Sequence, residues 1–226
     1  MDSDSTDLVA LIRRGLRDAA DPARAPGQQA YMKSAVPFLG VRVPDVRRVV
    51  RAAMRPDIDG DHLRTVALTL WDEATHREER YAAMGILGTR QLRGSWTLVP
   101  IIEHMVRTGR WWDYTDDLSH RLADLHDALP VETAALVQKW ATDDDMWIRR
   151  IAIISQLGRR ERVDARLLAS VIDPNLSDPQ FFVRKAIGWA FREYARVAPD
   201  WVSDYVATHA LSPLSRREAL KHLPDV

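Results

Sequence analysis

Asp145-Met-Trp-Ile-Arg-Arg-Ile-Ala152 returns 35 residues later as Gln180-Phe-Phe-Val-Arg-Lys-Ala-Ile187 (180 − 145 = 35). The two segments match in residue character over their whole length. The same step runs back from Trp147 to Trp112 (147 − 112 = 35) and forward to Phe182. Each of these aromatic residues stands near an expected helix start. A period of this length suits helical pairs stacked one on the next.

The rest of the chain agrees. Apolar residues at three- and four-residue spacing predict helices over residues 6–20, 28–34, 44–54, 61–71, 75–87, 95–107, 112–128, 132–141, 145–157, 164–172 and 178–195. Two short helices are expected to begin at Pro199 and Pro213, since proline suits a first helical turn. No stretch alternates with period two long enough to make a strand. The pattern resembles HEAT repeats, in which a Val-Arg step early in the second helix is typical. The expected fold is all-α, a HEAT-like repeat superhelical solenoid. One domain is expected over residues 1–226, with residues 1–25 as an N-terminal helix and linker.

Composition narrows the chemistry. The 226 residues include no cysteine, which excludes disulfides, thiolate metal sites and a cysteine nucleophile. Residues 1–7 are acidic and polar, unlike a signal peptide, and no apolar run approaches the ~18 residues that span a bilayer. A cytoplasmic, nucleoid-associated bacterial protein and a monomer are expected. The formal net charge is zero, which alone argues weakly against nucleic acid. The last third is nonetheless rich in arginine, from Arg149 to Arg217, and a balanced total can hide a segregated field. The seven histidines form no His-Glu-x-x-His motif, so no metal is expected. Asp143-Asp-Asp145 reads more simply as a helix cap than as a ligand set. No glycine-rich phosphate loop and no Gly-x-Ser-x-Gly elbow occurs.

The candidate site is Arg110-Trp-Trp-Asp-Tyr-Thr-Asp-Asp117, where two indoles adjoin three carboxylates. Trp112 and Asp116, four apart, share a helix face. Counted from the aromatic position of each repeat, Asp116 is at +4, Arg150 at +3 and Trp189 at +7. Those positions form one stripe, so Trp112, Asp116, Arg150 and Trp189 are expected on equivalent faces of neighbouring helices, lining one concave surface. A helical tryptophan is more often core than site, and a helical aspartate is usually solvated or ion-paired. Arg150 as the partner of Asp116 is one such reading. Asp113 and Asp117 are assigned to the helix start, where they complement the dipole, and Trp111 to the core.

Tyr31-Met-Lys33, Trp111-Trp-Asp113 with Asp116, Trp147-x-x-Arg150, Lys185-Ala-Ile-Gly-Trp-Ala-Phe-Arg-Glu-Tyr194 and Leu214-Ser-Arg-Arg-Glu-Ala-Leu-Lys221 together resemble the AlkD-type alkylpurine DNA glycosylases. The resemblance runs from about residue 30 to the C-terminus. It implies a concave basic face on duplex DNA and hydrolysis of the N-glycosidic bond of cationic purines, 7-methylguanine and 3-methyladenine, without a base-binding pocket. It implies Asp116 as the catalytic carboxylate and Trp112 and Trp189 as the indoles beside the deoxyribose. It implies Arg150, and with them Tyr31, as contacts at the DNA cleft. Arg149, Arg184, Lys185 and Arg192 are further candidate phosphate contacts. No cofactor is implied. Two other classes compete: a non-catalytic helical-repeat protein that binds damaged or branched DNA, and a protein-binding scaffold.

Overall fold

The computed structural model describes residues 3–223. Among them are thirteen α-helices, three short 3-10 turns and no strand. The chain divides into two compact units, at Arg93 and Gly94.

The first unit holds α1 (Ser3–Asp18), α2 (Ala25–Met32), α3 (Val43–Ala53), α4 (Gly60–Asp72) and α5 (Arg77–Leu87). α2 begins before the expected residue 28 because Pro26 fits its first turn instead of breaking it. α1 packs on α3, α4 and α5, and α5 also lies against α3 and α4. Ile12, Leu16, Leu63, Leu70, Trp71, Ala82 and Ile86 close the core with no exposed surface. The connector between α2 and α3 is tied to α5 by a buried acid. The Glu78 carboxylate accepts the backbone N–H groups of Leu39, Gly40 and Val41 at 2.9–3.1 Å. Gly40 has φ +87°, and a Cβ there would lie 2.0 Å from the Asp21 carbonyl oxygen, so only glycine fits.

The second unit holds α6 (Val99–Gly109), α7 (Trp112–Ala128), α8 (Pro130–Trp140), α9 (Met146–Ile153), α10 (Ala165–Ile172), α11 (Phe181–Tyr194), α12 (Pro199–Thr208) and α13 (Pro213–Ala219). α7 packs on α9, α9 on α11 and α11 on α13, while α8 packs on α10. Alternate helices therefore form rows, the arrangement that stacked helical pairs require. Side-chain ties repeat at the same step. Asp127 bonds Arg159 and Gln138 bonds Ser170, each 32 residues apart. Asn175 donates to the Ala141 carbonyl 34 residues back.

Among the boundaries that differ from expectation, three bear on the loops of this unit. Ser95 opens a 3-10 turn over Trp96–Leu98, and α6 begins only at Val99, with a proline in its first turn. α9 stops at Ile153 rather than 157, and a run of turns leads to Gly158 at φ +81°. The Gln156 side chain both accepts from the Asp164 N–H and donates to the Asp164 carbonyl, at 2.8 and 3.0 Å, closing that loop at its base. α11 begins at Phe181, because the preceding Asp178 side chain takes the Gln180 N–H at 2.7 Å in a turn.

Candidate active site

The elements that carry the site are set by their N-terminal loops. Asp145 caps α9 by accepting the Trp147 N–H at 2.9 Å, as its place in the acidic triplet predicts. Arg107 of α6 holds the same loop by donating to both oxygens of Asp143, at 3.0 and 2.7 Å. This fork keeps the Asp143 carboxyl below its ordinary value. Arg149 links the next two loops. It donates to the Asp143 and Asp144 carbonyls at 2.6 and 3.0 Å and to Asp178 at 2.8 and 3.1 Å. Behind the loops, Trp111, Trp147 and Phe182 pack together, with ring centroids 4.9–6.3 Å apart. Tilted aromatic contacts of this kind add about 0.5–1.5 kcal/mol per pair beyond burial. Trp111 is thus the packing anchor, and it is Trp111, not Trp112, that joins the aromatic cluster of the three repeats. The repeat step locates the cluster correctly to within one residue.

Asp116 and Arg150 meet directly. Arg150 Nε donates to Asp116 Oδ1 at 2.8 Å and Nη2 to Oδ2 at 2.9 Å, while Nη1 donates to the Phe182 carbonyl at 2.6 Å. One arginine of α9 thereby ties α7 to α11. The pair is sheltered, with side-chain exposures of 6% for Arg150 and 17% for Asp116. Burial pushes the Asp116 carboxyl above its ordinary value, and nearby Asp113 adds to this, while Arg150 opposes it and His120 helps. Both carboxylate oxygens accept from the guanidinium, so the geometry is that of the ionised acid. Trp112 opens α7 one turn before Asp116 and is half-buried. Asp113 sits in the first turn of α7.

The remaining candidates fall into two groups. Lys185 and Arg192, two turns apart on α11, both reach Glu218 of α13, at 2.9 and 2.6 Å. Trp189 lies between them on the same stripe and is half-buried. Arg184 donates to the Asp178 carbonyl at 2.7 Å. Arg149 and Arg150 spend three N–H groups or more on internal acceptors, so most of their donor capacity serves the loop framework. Tyr31 belongs to the first unit and is 75% exposed. Two cavities of about 470 Å³ open in the second unit, one walled by Leu157, Tyr194 and their neighbours, the other by the loops before α9 and α11, and Asp116 lines neither. Among the described residues no group of three or more acidic or histidine side chains is placed to hold a metal ion, and no helix is long and apolar enough to cross a membrane.

Glu218 and Asp178, which receive Lys185 and Arg149, carry no mark of that role in their own neighbourhoods of the sequence. The signal for Glu218 was its place 33 residues after Lys185, close to one repeat step.

The chain is all-helical, its second unit stacks alternate helices in rows, and an Asp–Arg fork is sheltered where α7, α9 and α11 meet. The chain belongs to the family described as DNA alkylation repair enzyme, whose pattern it matches over residues 12–223. It is similar to a solved structure from Enterococcus faecalis described as a predicted DNA alkylation repair enzyme. The two share 26% sequence identity with a TM-score of 0.83, over 92% of this chain and 98% of that one. No curated protein matches the chain.

Proposed function

We propose that the protein is a DNA glycosylase that hydrolyses the N-glycosidic bond of cationic alkylated purines in duplex DNA. The observation that carries this reading is the sheltered Asp116 carboxyl held by the Arg150 fork at 2.8 and 2.9 Å. A purine alkylated at N7 or N3 is already positive. When the bond from C1′ to the base breaks, the electron pair neutralises the leaving purine, so no general acid is needed. The sugar is left with oxocarbenium character, which a fixed carboxylate stabilises electrostatically. Water adds to C1′, and its proton passes to Asp116. Trp112 and Trp189 offer indole faces to the developing cation.

Arg150 acts first through Asp116, by fixing its oxygens. Three of its five guanidinium N–H groups are used inside the protein, and the two left are suited to a phosphate oxygen beside the lesion. Tyr31, Arg149, Arg184, Lys185 and Arg192 complete the proposed DNA contacts, with Arg149 and Arg184 acting mainly through the loops they hold. Such contacts position the duplex without reading its sequence.

The test is release of 7-methylguanine and 3-methyladenine from methylated duplex DNA. Asp116→Asn is expected to retain duplex binding and to lose base release by about 10²-fold or more. Equal release by variant and parent rejects the role. Tight binding to branched DNA with no release by the parent favours the non-catalytic reading.

A further inference from the structure

Lys185, Arg192 and Lys221 surround a single carboxylate. Glu218 accepts from Lys185 Nζ through Oε1 at 2.9 Å and from Arg192 Nη1 through Oε2 at 2.6 Å. Lys221, one turn on along the chain, adds its field, and the three cations hold the Glu218 carboxyl below its ordinary range. Three positive charges against one negative leave a surplus of about two, a setting that attracts a polyanion. The base of the Glu218 side chain is held close to α11. Gly188 lies so near α13 that a Cβ on it would meet Glu218 Cβ at 2.5 Å and the Ser215 carbonyl at 2.9 Å. Ser215 in turn donates to the Arg184 carbonyl at 2.9 Å, clamping the two helices. Glu218 is therefore held against the stripe that carries Lys185, Trp189 and Arg192, and its side chain is only 16% exposed.

We infer that Glu218 is an internal competitor for DNA phosphate, occupying Lys185 and Arg192 in the free protein and setting how tightly undamaged duplex is held. The inference rests on the glycosylase reading above. A repair protein must leave undamaged DNA quickly, and an ion-paired cation gives a phosphate less than a free one, because the pair has to be broken or shared. Lys185 is the more available of the two, with 38% of its side chain exposed against 21% for Arg192.

The experiment measures binding of an unmodified duplex across a salt series, together with single-turnover base release. Glu218→Gln removes the charge and keeps an amide oxygen for Lys185. It is expected to tighten duplex binding severalfold at fixed salt and to steepen the salt slope by about one to two phosphates, with the release rate at saturating protein unchanged. Glu218→Asp keeps the charge but draws the carboxylate back by one methylene, and is expected to tighten binding by less. It decides the matter if the glutamine variant does not fold. Unchanged or weaker affinity and an unchanged slope in folded variants overturn the inference while the parent still releases base. A parent that neither binds duplex in a salt-dependent way nor releases base overturns the glycosylase reading instead.

Discussion

At the residue scale the proposed site turns on Asp116, a sheltered carboxyl gripped by the Arg150 fork. Its folded carboxyl is raised above the ordinary value of 3.8, so the folded state holds its proton more tightly than the unfolded chain does. The contribution of this group to stability is full below the ordinary value and is lost as pH rises through the raised one. Neutral pH is thus where the site costs the fold most. Asp116→Asn is expected to remove that pH dependence. Relative to the parent, the variant's stability should rise as pH moves from about 4 towards neutrality, read by urea denaturation at several pH values. A difference that stays flat with pH counts against a raised carboxyl. On the proposed glycosylase reading the base-release rate is expected to follow the opposite course, because the ionised acid is the form proposed to act. It should fall on acidification at a pH above the ordinary carboxylate value. Arg150 was legible in the sequence as a partner for Asp116, because the two share a stripe one repeat apart. Its third bond, to the Phe182 carbonyl, was not, since a backbone acceptor leaves no trace in residue identity.

At the element scale the decisive contact is between α11 and α13. Gly188 sits inside the Lys-Ala-Ile-Gly-Trp segment, where a helix would favour alanine by about 1 kcal/mol. The structure accounts for the exception. Gly188→Ala places a methyl group where Glu218 and the Ser215 backbone already lie. It is expected to destabilise the second unit by about 1–3 kcal/mol and to loosen the hold of Glu218 on Lys185, measured as a fall in thermal midpoint. An unchanged midpoint means that α13 shifts without cost. The helices themselves were largely legible, with α7 expected and found at residues 112–128 and α12 and α13 starting at Pro199 and Pro213. α9 was expected to run four residues further than its end at Ile153. Its apolar pattern continues through Ile154 and Leu157, but those side chains reach the core from turns, and burial alone does not distinguish a turn from a helix.

At the scale of the whole molecule, net charge is the informative quantity. Thirty-two basic and 32 acidic residues cancel, and many arginines of the second unit are paired inside it, among them Arg107, Arg149, Arg150 and Arg159. Counting cations therefore overstates the field that DNA would meet. Duplex binding is expected to weaken with added salt, with a log–log slope of at least about −2, each neutralised phosphate adding about −0.9, and to be alike for duplexes of different sequence. A filter-binding series from low to moderate salt reads both. A slope near zero points instead to a protein-binding scaffold.

The sequence by itself determined the helical class, the repeat step near 35 residues, the Asp145 cap, and the pairing of a carboxylate with an indole on one face of α7. These follow from periodicity and from the chemistry of neighbours along one helix, which are local properties. Only the tertiary structure decided which cations are spent. Lys185, Arg192 and Arg149 read alike in the sequence as exposed bases, yet each meets a carboxylate 26–33 residues away. Such pairs form where helices from different repeats close on one another. The approach of α13 to α11 depends on a missing side chain at Gly188, and that distance is fixed by packing across the repeat, not along it.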